Sequence, residues 1–247
     1  MKTSNKLLIA AITLLLLSTA LYDFQLKAQY KKGDFRNRFG DFINLNLSGF
    51  KIINLKSSTA INIMLAKGPF KVLADPDAME FARVEKHGDT LMVEASFRSN
   101  FHNARTPYVL YVSCPEISEV IADAHYIAYE NHITDTLAAA DFSWRPTVIT
   151  GFTLNSLKLS LNHASNITLE NDSIATLNAV TGIENGSASN LILGINNHIG
   201  NARLDIRNKS RLWIKEAVNT RLNYQIADSA KLIVNGASQN ILKFKQP

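Results

Sequence analysis

From Leu157 onward, apolar and polar residues alternate in short runs. Leu157-Lys158-Leu159-Ser160-Leu161 is followed by Ile167-Thr168-Leu169 and Ala175-Thr176-Leu177. Leu191-Ile192-Leu193, Leu204-Asp205-Ile206, Leu212-Trp213-Ile214, Leu222-Asn223-Tyr224-Gln225-Ile226 and Leu232-Ile233-Val234 come later. A period of two is the signature of a β-strand with one face turned to a core. The runs return about every ten positions, separated by Asn, Ser, Asp or Gly, and such a period predicts a solenoid whose coils bury their apolar faces by stacking. Asn162, Asn166, Asn171, Asn185, Asn190, Asn208 and Asn235 stand at the ends of runs. Asparagine tolerates a left-handed backbone, and its amide can bond the turn itself; stacked coils also line such amides into ladders. Asn185-Gly186 and Asn235-Gly236 equally suit hairpin turns, so an antiparallel β-sandwich is the alternative architecture.

The alternation starts at Phe42 and runs through Ile43–Leu47, Phe50–Leu55, Ala60–Leu65, Phe70–Leu73, Thr90–Glu94 and Tyr108–Ser113. Ala74–Ala78 and His87–Asp89 read as turns, Glu80–Val84 as a strand or one helical turn, and 97–106 as a loop. Val120–Tyr129 reads as one strand. That places Ala122, Ala124 and Ala128 on one face and Asp123, His125, Ile127 and Tyr129 on the other. Helical periodicity is nearly absent after residue 30, and the expected class is all-β.

Residues 1–28 follow a different pattern. Leu7–Tyr22 carries no charge and is preceded by Lys2 and Lys6, the n-region and h-region of an export signal. Ser18-Thr19-Ala20 offers small residues for cleavage, and Leu26-Lys27-Ala28 is a weaker site. Uncleaved, the segment is a short membrane anchor. Its sixteen uncharged residues would rise roughly 24 Å as a helix against a hydrocarbon core of about 30 Å, so spanning needs bilayer thinning or help from Asp23–Leu26. Either fate takes the body out of the cytoplasm. A lipobox needs a cysteine here, and the segment has none. Residues 29–41 read as a linker and 42–247 as the β domain.

At 247 residues, 46% hydrophobic and 19% charged, the chain is in the globular range. The formal net charge is +5. Lys2, Lys6, Lys27, Lys31, Lys32, Arg36 and Arg38 supply much of it against Asp23 and Asp34, so the body is closer to neutral. No basic stripe of the kind that tracks a phosphate backbone is visible, and nucleic acid is not an expected partner. The single cysteine, Cys114, cannot form an intramolecular disulfide. Within an apolar run it reads as a small buried residue.

Several stretches together resemble a known bacterial family. They are Phe50-Lys51-Ile52-Ile53-Asn54-Leu55-Lys56, Ala60–Leu65, Gly88-Asp89-Thr90-Leu91-Met92-Val93 and, most specifically, Val109–Ile121, where a strand, a Pro and a short spacer lead into the next strand. With the Ser-, Ala- and Asn-rich coils that follow, they resemble the auto-transporter adhesin head domain, or head GIN domain, of exported Bacteroidetes proteins over roughly Phe42–Phe244. The resemblance implies a right-handed parallel β-helix-like body and a cell-envelope location. It supplies no catalytic residues.

Enzymes that cleave polysaccharides on stacked-coil scaffolds gather carboxylates on one face. Asp123, Glu130, Asp135, Asp141, Glu170, Asp172, Glu184 and Asp205 are the candidates, but their spacing does not lock to the ten-residue rhythm, and they read as solvated turn acids. Asp123 and His125 lie two apart on a strand, about 7 Å by strand rise, as do Glu130 and His132. These four suit zinc only if the strands stack in register; otherwise they are exposed surface residues. Asp75-Pro76-Asp77 lacks the further oxygens of a calcium loop, and neither a phosphate loop nor a nucleophile elbow occurs. No catalytic residue, metal or cofactor is therefore expected.

Aromatic residues supply the remaining signal. Trp213 points opposite to Leu212 and Ile214. If those two are core, Trp213 is exposed beside Arg211 and Lys215 as a binding patch; packing under a loop is the alternative. Trp144, Tyr126, Tyr129, Phe142 and Tyr224 would extend a sugar-stacking face if exposed. The expected protein is a non-enzymatic, exported envelope component of the periplasm or cell surface. It would be an adhesin-like module binding glycan or protein, with Trp213, Arg211, Lys215, Asp123 and His125 as candidate contacts. The alternatives are a polysaccharide-active enzyme and a periplasmic scaffold or sensor held in the inner membrane by residues 7–22.

Overall fold

The computed structural model describes residues 3–32, 39–98, 109–136, 147–216, 221–236 and 238–239. The chain divides into two compact units, Met1–Asp41 and Phe42–Pro247.

The first unit contains one helix, α1 (Thr3–Lys32). It outruns the apolar stretch because Gln25, Leu26, Lys27, Ala28 and Gln29 are strong helix formers and the first glycine comes only at Gly33. Residues 29–32, expected as linker, are thus helical. The hydroxyls of Thr13, Ser18 and Thr19 donate to the carbonyls of Ile9, Leu15 and Leu16, so these polar side chains find partners within the helix, as an apolar medium requires. Leu14 and Phe24 are 72% and 76% exposed. The helix is long and apolar enough to cross a membrane and fits an export signal or a membrane anchor.

The second unit is all-β and consists of two mixed sheets, neither of them closed. In the nine-stranded sheet the spatial order is β1 (Ile43–Asn44), β4 (Lys71–Ala74), β7 (Leu110–Cys114), β3 (Ile63–Lys67), β11 (Thr147–Thr150), β13 (Asn166–Glu170), β15 (Asn190–Leu193), β17 (Arg211–Ile214) and β19 (Lys231–Val234). In the ten-stranded sheet it is β10 (Asn131–Thr134), β9 (His125–Ala128), β6 (Thr90–Phe97), β2 (Ile52–Leu55), β8 (Glu119–Ala122), β12 (Thr153–Leu161), β14 (Ser173–Thr181), β16 (His198–Ile206) and β18 (Arg221–Ile226), with β5 (Ala82–His87) paired to β6. Antiparallel pairing is confined to β1·β4, β4·β7, β5·β6 and β9·β10 among these strands.

From β11 to β19 successive strands alternate between the sheets, and every pair is parallel. Ile149 pairs with Leu169, Leu169 with Leu193, Leu193 with Ile214 and Ile214 with Val234, offsets of 20, 24, 21 and 20 residues. The ten-residue rhythm is therefore one strand in each sheet per repeat. This register stacks like residues. Val112, Leu65, Ile149, Leu169, Leu193, Ile214 and Val234 form one continuous row. Leu91, Ile53, Val120, Leu159, Ala179, Leu204 and Tyr224 form another in the second sheet. Together they make a single core.

Of the asparagines named at the ends of runs, Asn171 and Asn208 take the left-handed backbone and Asn162, Asn166, Asn185, Asn190 and Asn235 do not, while Asn196, outside that set, does. Asn171, Asn196 and Asn208 take φ of 57°, 57° and 52°. The Asn196 amide donates to Asn171 Oδ1 at 3.1 Å, and Asn190 donates to Asn166 Oδ1 at 3.3 Å.

Three local expectations change. Val120–Tyr129 is two strands, because the chain leaves β8 at Asp123, whose Oδ1 accepts the Ala124 N–H at 2.7 Å. Asp75 caps a 3-10 turn at Pro76–Glu80 by accepting the Asp77 N–H, so Asp75-Pro76-Asp77 is a helix start. Asn185-Gly186 joins β14 to β15, which lie in different sheets and do not pair with each other, so it is no hairpin. The loop 97–106 lies mostly outside the described residues.

Candidate functional site

β12, β14 and β16 each run nine residues. Their pairing flanks Asn155, Ala175 and Gly200 without including them. At Gly200 a Cβ would stand 2.8 Å from the Ala175 carbonyl oxygen, so the strands meet there backbone to backbone. Beside this break lies an open groove of about 790 Å³. Ile117, Ile174 and Ile199, at 2%, 1% and 3% exposed, make an apolar floor. Thr153, Asn155, Ser156, Ser118 and Ser173 supply hydroxyls and an amide, while Lys51, Lys67, Glu116 and His198 supply ionisable groups. Lys51 is paired with Glu116 at 2.5 Å, and no Phe, Tyr or Trp among the described residues lines the groove.

The five residues singled out from sequence fall into two places. Arg211, Trp213 and Lys215 belong to β17 and its end in the nine-stranded sheet, with Leu212 and Ile214 buried beneath. Trp213 is half-buried: its indole N–H donates to Asn235 Oδ1 at 3.0 Å, and the Lys215 ammonium lies 4.8 Å from its ring centroid. Its polar edge is thus already satisfied by the neighbouring repeat. Tyr126 packs edge-on against Phe97 at 5.9 Å, and Tyr224 packs on the core. Tyr126 and Tyr224 belong to the other sheet from Trp213, and Phe142 and Trp144 lie outside the described residues, as does Asp141.

Asp123 and His125 lie at a corner following β8. Because the chain breaks out of the strand there, His125 Nε2 comes within 3.3 Å of Asp123 Oδ2, closer than strand geometry suggests. Glu130 and His132 do not join them. Instead His163, from the turn after β12, brings its Nδ1 within 2.6 Å of Asp123 Oδ1 and its Nε2 within 3.5 Å of Glu184 Oε2. His163 carried no sequence signal beyond its place at an asparagine-rich turn, and pairing across 40 residues is not readable from local pattern.

Asp172 is not the solvated turn acid expected. It is 1% exposed, and Oδ1 accepts the Phe152 N–H at 2.8 Å while Oδ2 has no partner. Burial pushes its pKa up to about 7. Burial likewise pushes the Cys114 thiol up to about 12, which leaves it un-ionised and inert at neutral pH.

Neither a protein-family model nor a curated protein matches the chain. Among solved structures, the chain is similar in fold to a "putative adhesin" of Bacteroides fragilis. The TM-score is 0.51 and the identity 11%, with 78% of this chain and 91% of that one covered. A second "putative adhesin", from Parabacteroides merdae, aligns at 12% identity over 78% and 95% of the two chains with a TM-score of 0.32. A "putative lipid binding protein" of Parabacteroides distasonis aligns at 9% identity over 79% and 94%, with a TM-score of 0.31. At these identities the likeness concerns fold alone.

Proposed function

We propose that this protein is a non-enzymatic, exported component of the cell envelope, built on a right-handed β-helix-like solenoid of the head GIN type, and that it binds a glycan chain along the groove across β12, β14 and β16. The observation that carries the reading is the groove itself. Its apolar floor suits the carbon face of a sugar ring, and its rim of small hydroxyl and amide side chains suits hydroxyl-rich ligands at several points along a chain. Solenoid faces repeat such contacts at fixed spacing, which fits a polymer better than a single small molecule. The fold likeness to a Bacteroides fragilis "putative adhesin" supports an envelope role. The apolar helix α1 supports export.

The test is retention of the full-length, detergent-solubilised protein on immobilised cell-envelope polysaccharides, compared with Ala175→Trp, which fills the groove from an exposed position. Retention of the native chain and loss in the variant is the expected result. Equal retention of both removes the groove from the reading. Release of new reducing ends from the polysaccharide would instead establish a hydrolase.

A further inference from the structure

The corner formed by Asp123, His125 and His163 has the donor set of a metal site, with Glu184 behind the His163 ring. Ligand atoms of Asp123, His125 and His163 all lie within 4.8 Å of one another. In a tetrahedral zinc site with ligand bonds near 2.0–2.1 Å, donor atoms stand about 3.3 Å apart. The Asp123 Oδ2–His125 Nε2 separation of 3.3 Å already matches that spacing, and His163 Nδ1 lies closer still, 2.6 Å from Asp123 Oδ1.

The supporting contacts hold these side chains from behind. The Asp123 carbonyl accepts from the Ser58 N–H at 2.8 Å and the Ser58 hydroxyl at 2.7 Å. His125 Nδ1 lies 2.7 Å from Thr134 Oγ1, which leaves Nε2 facing the cluster; such outer partners fix the ring of a metal-bound histidine. The His163 side chain is 7% exposed and its backbone φ is +46°, a left-handed conformation that is strained in a residue other than glycine. Two hydrogen bonds keep it there. Its N–H donates to Ser187 Oγ at 3.1 Å, and its carbonyl accepts the Ala188 N–H at 2.9 Å.

Both nitrogens of the His163 ring face carboxylates, yet a neutral imidazole has only one N–H to donate. A dication at Nδ1 would take that nitrogen's lone pair and compensate the Asp123 carboxylate, leaving Nε2–H to face Glu184. Two nitrogens and carboxylate oxygens select a borderline transition metal over calcium or magnesium, which prefer all-oxygen shells.

We propose that Asp123, His125 and His163, the last through Nδ1, bind a zinc-class dication, with Glu184 holding the His163 ring from its far nitrogen and the fourth position open to solvent. Such a site ties three successive repeats together at one corner. It is independent of the groove.

The test is a cobalt(II) titration of the full-length, detergent-solubilised protein, freed of metal beforehand and followed by visible absorption. One equivalent should give the intense d–d bands of a tetrahedral site, and zinc should displace it. His125→Ala and Glu184→Gln alter exposed side chains and leave the fold intact by circular dichroism. His125→Ala should weaken binding at least about tenfold, Glu184→Gln should weaken it less, and the distant His87→Ala should bind as the native chain does. Absence of tetrahedral bands, or native-strength binding in His125→Ala, overturns the proposal.

Discussion

The α-carbon of Gly182 faces the carbonyl oxygen of Arg207 so closely that a Cβ would come within 2.4 Å of it, and within 2.4 Å of Ser210 Oγ. Gly182 also has φ +71°. Gly182→Ala therefore combines a left-handed backbone penalty with a clash against main chain that cannot move alone. It should cost roughly 2–4 kcal/mol, read as a fall in the urea midpoint. Gly186, at φ +85° with nothing within 4 Å of its added Cβ, is the control. Gly186→Ala should cost only about 1 kcal/mol. Equal losses would mean that conformation alone, and not the approach of the next repeat, requires glycine at 182.

The amide oxygen of Asn162 accepts hydrogen bonds from the Glu184 N–H at 3.0 Å and the Ser187 hydroxyl at 2.7 Å. Asn162 thereby templates the turn of the next repeat. Asn162→Ala leaves those donors without their acceptor and should destabilise by roughly 1–3 kcal/mol. Asn178, outside these contacts on β14, is the comparison, and Asn178→Ala should stay within about 0.5 kcal/mol. Thermal unfolding of the two variants separates a turn template from a decorative asparagine.

Asp172 makes stability depend on pH in an unusual direction. Its folded-state pKa is raised to about 7 from 3.8 by burial, so the folded chain holds this proton more tightly than the unfolded chain. Between about pH 4 and pH 7 the folded state binds the extra proton, and stability falls as pH rises. Below that window the contribution is level, and above it the full penalty is present. Asp172→Asn keeps an acceptor for the Phe152 N–H and has no charge to bury. It should gain roughly 2–4 kcal/mol over the native chain at pH 8 and much less at pH 4. A pH series of denaturant midpoints, with the variant flat where the native chain slopes, is the expected result. Parallel curves would mean that Asp172 ionises freely in the fold.

The all-β class and the strand positions after Leu157 were legible because period-two alternation is local. Leu157, Leu159 and Leu161 announce their own inward face. The left-handed turns at Asn171 and Asn208 were legible for the same reason, since the asparagine carries its conformational preference with it. What could not be read was anything fixed by register between repeats. The Asp123–His163 contact, the orphan oxygen of Asp172 and the groove beside Gly200 arise because residues 20 to 40 positions apart are stacked, and no local pattern encodes that distance. At Trp213 the limit is the same. Alternation gave the direction of its side chain, but the acceptor that satisfies it, Asn235, sits one repeat away.

The N-terminal helix yields the last prediction. The apolar run Leu7–Tyr22 alone is short of a bilayer, but α1 continues without a break to Lys32. Leu7–Leu26 as one helix rises about 30 Å, the thickness of the hydrocarbon core. Asp23 then falls near the outer end, where a carboxylate reaches the interface; Lys2 and Lys6 remain on the cytoplasmic side, while Lys27, Lys31 and Lys32 lie on the translocated side against the charge bias. The full chain should therefore stay in the membrane fraction after carbonate washing, with an intact mass that includes residues 1–28. A Leu15→Arg substitution at the middle of the span should release it, since a central arginine costs about 2.5–3.5 kcal/mol on the insertion scale. A carbonate-soluble mature chain beginning after Ala20 or Ala28 would make α1 a cleaved signal and leave the body free in the compartment to which it is exported.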